Sequence, residues 1–184
     1  MKVIVSLLRG VNLGPHHRIK MEDLRTLYLS LGLRDVQSYV QSGNLVFRTN
    51  ERSLAPLAKR IEDVIEKRYG FHADVILRTT ADLRAVVARN PFAKRREIEP
   101  SKLLVTFLSQ HLPKEVCAQI LAVKPNSEEL HLDGRELYVY FPDGLGRSKL
   151  FATLFGKLLK KEGTGRNWNT VTQLLKMAET LEAL

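Results

Sequence analysis

Cysteine is almost missing from this chain: one residue, Cys117, among 184. That excludes an internal disulfide and any zinc site built on thiolates. Its setting, "PKEVCAQILA", reads as helix and predicts a buried, inert thiol. No apolar run approaches the roughly 20 residues of a membrane-spanning helix. The opening "MKVIVSLLRG" is too short for a secretory h-region and carries no small-residue cleavage site. The expected address is cytoplasmic, with no membrane partner. Motifs of nucleotide chemistry are absent too. There is neither Gly-x-x-x-x-Gly-Lys-Ser/Thr nor Gly-x-Gly-x-x-Gly, so ATP and NAD have no support and no cofactor is expected. No HExxH, no Gly-x-Ser-x-Gly and no paired acidic motif occurs, so no catalytic residue can be named and the balance leans away from an enzyme. His16 and His17 are adjacent in a loop, where neighbouring side chains seldom reach one ion; His72, His111 and His131 stand apart in sequence, and no metal ligand set is expected.

What the chain does have is positive charge, +9 in all. Residues 1–80 hold 13 basic and 8 acidic groups, and residues 81–184 hold 16 and 12, so the excess is spread over the body of the protein. Such a surface attracts phosphorylated metabolites, nucleic acid or other anions. With 44% hydrophobic residues the chain can bury a working core.

Periodicity gives a consistent order of elements. "KVIVSLLR" has strand length, and "KMEDLRTLYLSLG" places Met21, Leu24, Leu27, Tyr28 and Leu31 on one helical face ended by Gly32. "VQSYVQSGNLVFRT" reads as two strands turning at Ser42-Gly43. "SLAPLAKRIEDVIEKRYG" repeats the helical rule, with Ser53 available as a cap and Gly70 as a stop. "ADVILRT" is a further strand. The β-α-β-β-α-β order is that of the ferredoxin-like split βαβ unit. After "TADLRAVVARN" and the charged linker "PFAKRREIEPS" the order recurs: strand "KLLVTFLS", helix "PKEVCAQILAV", hairpin "ELHLDGRELYVYF" with an Asp133-Gly134 pair that signals a type I′ turn, and helix "SKLFATLFGKLLKK". "EGTGRN" can supply a stunted fourth strand, and "TVTQLLKMAETL" adds a terminal helix. The expected fold is α+β: two tandem ferredoxin-like subdomains with antiparallel sheets, 1–79 and 80–184, the second with an additional C-terminal helix.

Three motifs in order, "LLRGVNLG" followed by Lys20-Met21, "YVQSGNLVF" and "RNWNTV", resemble the bacterial family called domain of unknown function 1697. The resemblance covers essentially the whole chain. It implies two ferredoxin-like subdomains and no assigned activity. The chain departs from that family's pattern at Gly14-Pro15, where a Gly pair is usual, and in "TGR", where the middle residue is often bulkier. Pro15 stiffens the loop and removes a backbone donor.

Candidate ligand-binding residues follow from polar side chains gathered at turns. Arg9 and Asn12 leave the end of a central strand, and they either form a pocket for an anion or hold their own turn through a carboxylate and a backbone bond. Gln41, Ser42 and Asn44 crowd a hairpin tip, where polar residues are ordinary. "GLGRSK", with Arg147 and Ser148, and "GTGRNW", with Arg166, Asn167 and Trp168, each place Gly-x-Gly-Arg before a helix, a setting suited to anions. For "RNWNT" the alternative is a helix cap with Trp168 filling a junction. The leading functional expectation is a binding protein for a phosphorylated or otherwise anionic small molecule. RNA or single-stranded DNA binding on sheet aromatics, with Tyr39, Phe47, Tyr138 and Tyr140 as the platform, is the weaker alternative, and a noncatalytic protein-interaction module is the third. Oligomeric state is not legible from the chain.

Overall fold

The apolar run at the start of the chain forms strand β1 (Lys2–Leu8), buried from Val3 onward. A strand buried on both faces needs a cover on each, and the rest of the architecture supplies it. The computed structural model describes residues 1–159 and 162–184, without the Arg147 side chain. It is an α+β chain with two four-stranded antiparallel sheets and, among the described residues, six α-helices. No helix among the described residues is long and apolar enough to cross a membrane.

By its internal contacts the chain divides into two units, Met1–Ala85 with Gln173–Leu184, and Val86–Thr172. In the first, β1 is followed by α1 (Met21–Ser30), β2 (Arg34–Tyr39), β3 (Asn44–Thr49), α2 (Leu54–Tyr69) and β4 (Val75–Thr79), and the sheet order is β2-β3-β1-β4. Met21, Leu24 and Tyr28 of α1 and Leu57, Ile61 and Ile65 of α2 pack on Ile4, Leu8, Leu45 and Phe47, one face of this sheet. Each such burial is worth about 1.5–3 kcal/mol, which is why the helical stripe decides the fold. Ser53 stands at the start of α2, but its side chain makes no capping bond. Helix α3 (Thr80–Ala88) follows β4. On the opposite face of the sheet Arg48 donates to the carbonyl of Leu181, near the end of the last helix, α6 (Trp168–Glu182).

The second unit contains β5 (Leu103–Leu108), α4 (Lys114–Ala122), β6 (Glu129–Asp133), β7 (Glu136–Tyr140), α5 (Lys149–Thr153) and β8 (Gly163–Asn167), in sheet order β6-β7-β5-β8. The expected stunted strand is therefore a five-residue strand paired along β5. The expected long helix after β7 is a short α-helix continued by a π-helical turn, Leu154–Leu158; Lys160 and Lys161, at its expected end, lie outside the described residues. The turn of the second hairpin also differs from expectation. Asp133 pairs with Glu136, so Gly134 and Arg135 form the loop, and only Gly134 has positive φ, at 61°. That is the pattern of a type II′ turn, with Gly at the first central position, rather than type I′. In the first hairpin Tyr39 pairs with Asn44, leaving a four-residue loop rather than a tight Ser42-Gly43 turn. Cys117 is half-buried, not buried, with its thiol 3.7 Å from the Leu112 carbonyl.

Candidate functional site

The two sheets repeat one another with an offset of 100 residues along the central strand. Val5 faces Arg78 across β1 and β4, and Val105 faces Arg166 across β5 and β8. Leu8 donates to the Gly43 carbonyl and Leu108 to that of Arg135; Arg9 N–H donates to the Asp74 carbonyl and Ser109 N–H to that of Glu162. The repeat breaks in the connection after the central strand, which runs over residues 9–20 in the first unit and 109–113 in the second.

This longer connection is held by Asn12, in the left-handed region at φ 57°. Its side-chain amide donates to the Ile19 carbonyl (2.9 Å) and the Gln41 carbonyl (2.7 Å), and its Oδ1 accepts from Ile19 N–H at 2.9 Å. Asn12 thus closes its own loop and ties it to the β2–β3 hairpin tip. Gly43 allows the approach: its φ is 74°, and a Cβ there would sit 2.6 Å from Val11 Cγ2 and 2.7 Å from Leu8 Cβ. Asn44 is fully buried and donates to the Tyr39 carbonyl (3.1 Å) and to Ser42 Oγ (2.8 Å). Of the expected residues, Asn12, Gln41, Ser42 and Asn44 are brought together here, with Asn12 and Asn44 engaged in holding backbone.

Between the loop and the tip lies an open cavity of about 340 Å³ lined by Asn12, Gly14, Arg18 and Gln41. Arg18 Nε donates to the Gly14 carbonyl at 3.1 Å, which orients the guanidinium, and Arg18 makes no ion pair among the described residues. Leu13, 82% exposed, and Val40, 51% exposed, flank Asn12 and Gln41 in sequence. Arg18 was not among the residues the sequence singled out; nothing in "PHHRIK" distinguishes it from an ordinary surface arginine.

Arg9 takes another direction. Its Nε donates to Asp74 Oδ2 at 2.7 Å, while Asp74 Oδ1 lies 3.1 Å from His72 Nε2. Burial raises the Asp74 pKa, but the bonds to His72 and Arg9 together outweigh it and hold the carboxyl below its ordinary value. Glu62 Oε1 accepts from Val75 N–H at 2.9 Å, and Glu66 lies 3.5 Å from His72 Nδ1. Glu62, His72 and Asp74 each offer a ligand atom within 4.8 Å of the others. Spacing in sequence hides this cluster, because α2 and the segment before β4 bring its parts together.

In the second unit Arg166 is 7% exposed on β8, its Nη1 donating to Thr164 Oγ1 (2.7 Å) and the Gly165 carbonyl (2.8 Å). Burial pushes its pKa down to about 10, which leaves it charged at neutral pH. Asn167 Oδ1 accepts from Thr170 N–H at 3.0 Å and so caps α6. The first unit does the same at the same place: Thr79 Oγ1 accepts from Asp82 N–H at 3.1 Å at the start of α3. "RNWNT" is therefore the counterpart of "RTTAD", residues 78–82: a buried arginine, then a strand-end residue capping the next helix. Trp168 is half-buried in the first turn of α6.

At "GLGRSK", Ser148 Oγ accepts from Phe151 N–H at 3.1 Å and donates to the Glu128 carboxylate. Glu128 and Asp143 line the adjacent 150 Å³ hollow, so carboxylates already stand at this helix start. Arg147 lies in a 3-10 turn, Leu145–Arg147, and its side chain is outside the described residues. The aromatic platform is covered. Tyr138 is fully buried with its hydroxyl donating to the Val86 carbonyl, Tyr140 is 8% exposed beside Phe92, and Phe47 is in the core; Tyr39 is half-buried.

Among solved structures, a conserved bacterial protein of Streptococcus pneumoniae is similar at a TM-score of 0.82 and 23% sequence identity, covering 97% of this chain and 99% of that one. At that identity the likeness speaks to the fold alone. A comparison with curated proteins finds no match. The sequence profile of the family described as protein of unknown function, DUF1697, matches residues 1–138. The chain belongs to that family.

Proposed function

We propose that the protein binds a small anionic molecule, such as a phosphate ester, in the cavity between the β1–α1 loop and the β2–β3 hairpin tip. The observation that carries this reading is the Arg18 guanidinium: it lines a 340 Å³ cavity, is oriented by the Gly14 carbonyl, and makes no ion pair among the described residues. An exposed guanidinium offers paired donors that match phosphate or carboxylate. Gln41 adds an adaptable amide to the same lining. The second unit serves as an internal control, since its shorter connection at 109–113 has no counterpart of Arg18. The proposal includes a ferredoxin-like reading of each unit, supported by the β-α-β-β-α-β order and the sheet orders β2-β3-β1-β4 and β6-β7-β5-β8.

Arg166 serves the strand-to-helix junction after β8, and its burial argues for Arg18 as the charge contact. A thermal-shift panel of inorganic phosphate, pyrophosphate, sugar phosphates and citrate tests the reading. At least one of these should raise the melting temperature of the parent protein, and Arg18→Ala should lose the rise while melting normally without ligand. A rise that survives in Arg18→Ala, or no rise with any anion, defeats the proposal.

A further inference from the structure

We infer that Glu62, His72 and Asp74 form a site for one divalent transition ion of the zinc class. The three ligand atoms lie within 4.8 Å of one another, near enough for small side-chain movements to bring each to about 2.0–2.2 Å from a shared centre. One imidazole and two carboxylates leave a fourth position for water, the composition of an open rather than a closed site.

What separates this cluster from carboxylates that merely meet at a surface is the ring of partners behind each ligand. Asp74 presents Oδ1 toward His72, while its Oδ2 is held by Arg9 Nε at 2.7 Å. Glu62 anchors Oε1 on Val75 N–H at 2.9 Å, leaving Oε2 to reach the ion. His72 turns Nδ1 toward the Glu66 carboxylate at 3.5 Å, so that Nε2 faces Asp74. A histidine whose second nitrogen faces a carboxylate, and ligating carboxylates whose second oxygens are bonded, are the outer partners that metal sites use to fix tautomer and orientation. Without an ion, His72 Nε2 bonds to Asp74; an ion would take the lone pair on that nitrogen, with the ring proton on Nδ1 directed to Glu66.

The placement also fits. The ligands sit in the C-terminal half of α2 and on the chain entering β4, and Phe71 beside His72 is stacked on His17 at 4.4 Å. In a chain of net charge +9, three carboxylates gathered around one imidazole, one of them paired with Arg9, make a local exception to the sign of the surface.

Isothermal titration of the full chain with Zn²⁺ tests the inference. One ion should bind per chain. His72→Ala should weaken binding by at least tenfold, and Glu66→Gln, which touches only the outer partner, by about tenfold to a hundredfold with stoichiometry unchanged. His16→Ala/His17→Ala should leave the affinity as it was. Far-UV circular dichroism checks each variant for folding, and Glu62→Gln, which keeps an oxygen for Val75 N–H, gives an independent reading should His72→Ala misfold. The absence of Zn²⁺ binding by the parent, unchanged affinity in His72→Ala or, if that variant misfolds, in Glu62→Gln, or loss of binding only in the His16/His17 variant, overturns it.

Discussion

The two sheets pair the same positions and treat them differently. On the helix-covered face of the central strand, Ser6 in the first unit lies opposite Leu77, and Thr106 in the second lies opposite Gly165. Ser6 Oγ is hydrogen-bonded to the Tyr28 hydroxyl at 2.8 Å, whereas Thr106 Oγ1 is buried with no partner among the described residues. The connection after that strand is long and knotted by Asn12 in one unit and short in the other. The frame, set by strand pairing and by the arginine-and-cap junction after the last strand, is thus shared; the polar elaboration belongs to the first unit. This difference locates the candidate site, because a repeat of the same frame without the loop shows what the frame requires.

The largest expected effect is at the hairpin tips. Gly43→Ala combines a left-handed backbone with a Cβ placed under 3 Å from Leu8 and Val11, and should cost about 3 kcal/mol or more by urea unfolding. Gly134→Ala has a similar φ, but its nearest atom is 4.0 Å away, so about 1 kcal/mol is expected. Equal losses would show that close approach does not distinguish the tips. Next come the paired arginines. Arg78→Ala and Arg166→Ala, each removing a buried long side chain, should cost about 3 kcal/mol, and Met at either position clearly less. A loss at only one of them would break the equivalence of the two strand-to-helix junctions.

Smaller but opposite in sign are the two hydroxyl changes. Ser6→Ala strands the buried Tyr28 hydroxyl, whose pKa burial already pushes well above the ordinary tyrosine value, and should cost about 1–2 kcal/mol. Thr106→Val replaces an unbonded hydroxyl with a methyl and should stabilise by about 1 kcal/mol. Two losses of the same size would mean that Thr106 Oγ1 has a partner after all. The smallest effect is on pH dependence. Because the Asp74 pKa is lowered in the fold, its contribution is present above the ordinary Asp value and disappears as pH falls through the depressed one. Asp74→Asn should therefore flatten the acid limb of the stability curve below about pH 4, read by thermal melting from pH 2 to 6.

Much of the frame was legible because burial follows period. The α1 and α2 stripes, the strand runs and the β-α-β-β-α-β order all appear as patterns of apolar residues, and even "EGTGRN" announced its strand. The π-helical turn after α5 did not, since Leu154, Phe155 and Leu158 suit an α-helix equally well. The second hairpin misled because an Asp-Gly pair says nothing about which residues close the ladder. At the site, Asn12 and the hairpin tip were singled out as polar residues at turns, but their bonding to one another depends on a contact between separate loops. The "GTGRNW" stretch drew attention to its glycines and to "GLGRSK"; its closer counterpart, "RTTAD", shares with it only an arginine and a capping residue. Arg18, Glu62, His72 and Asp74 carried no sequence signal, since each acquires its partners through the fold.

The most direct test of the site is a backbone-amide NMR titration of the full chain with whichever of phosphate, pyrophosphate, sugar phosphate or citrate raises the melting temperature most. Binding in the proposed cavity predicts shifts concentrated in residues 11–19 and 40–43, and none in the equivalent connections at 109–113 and 134–135. Shifts centred on 144–149 or 163–168, or no saturable shift at all, would contradict it.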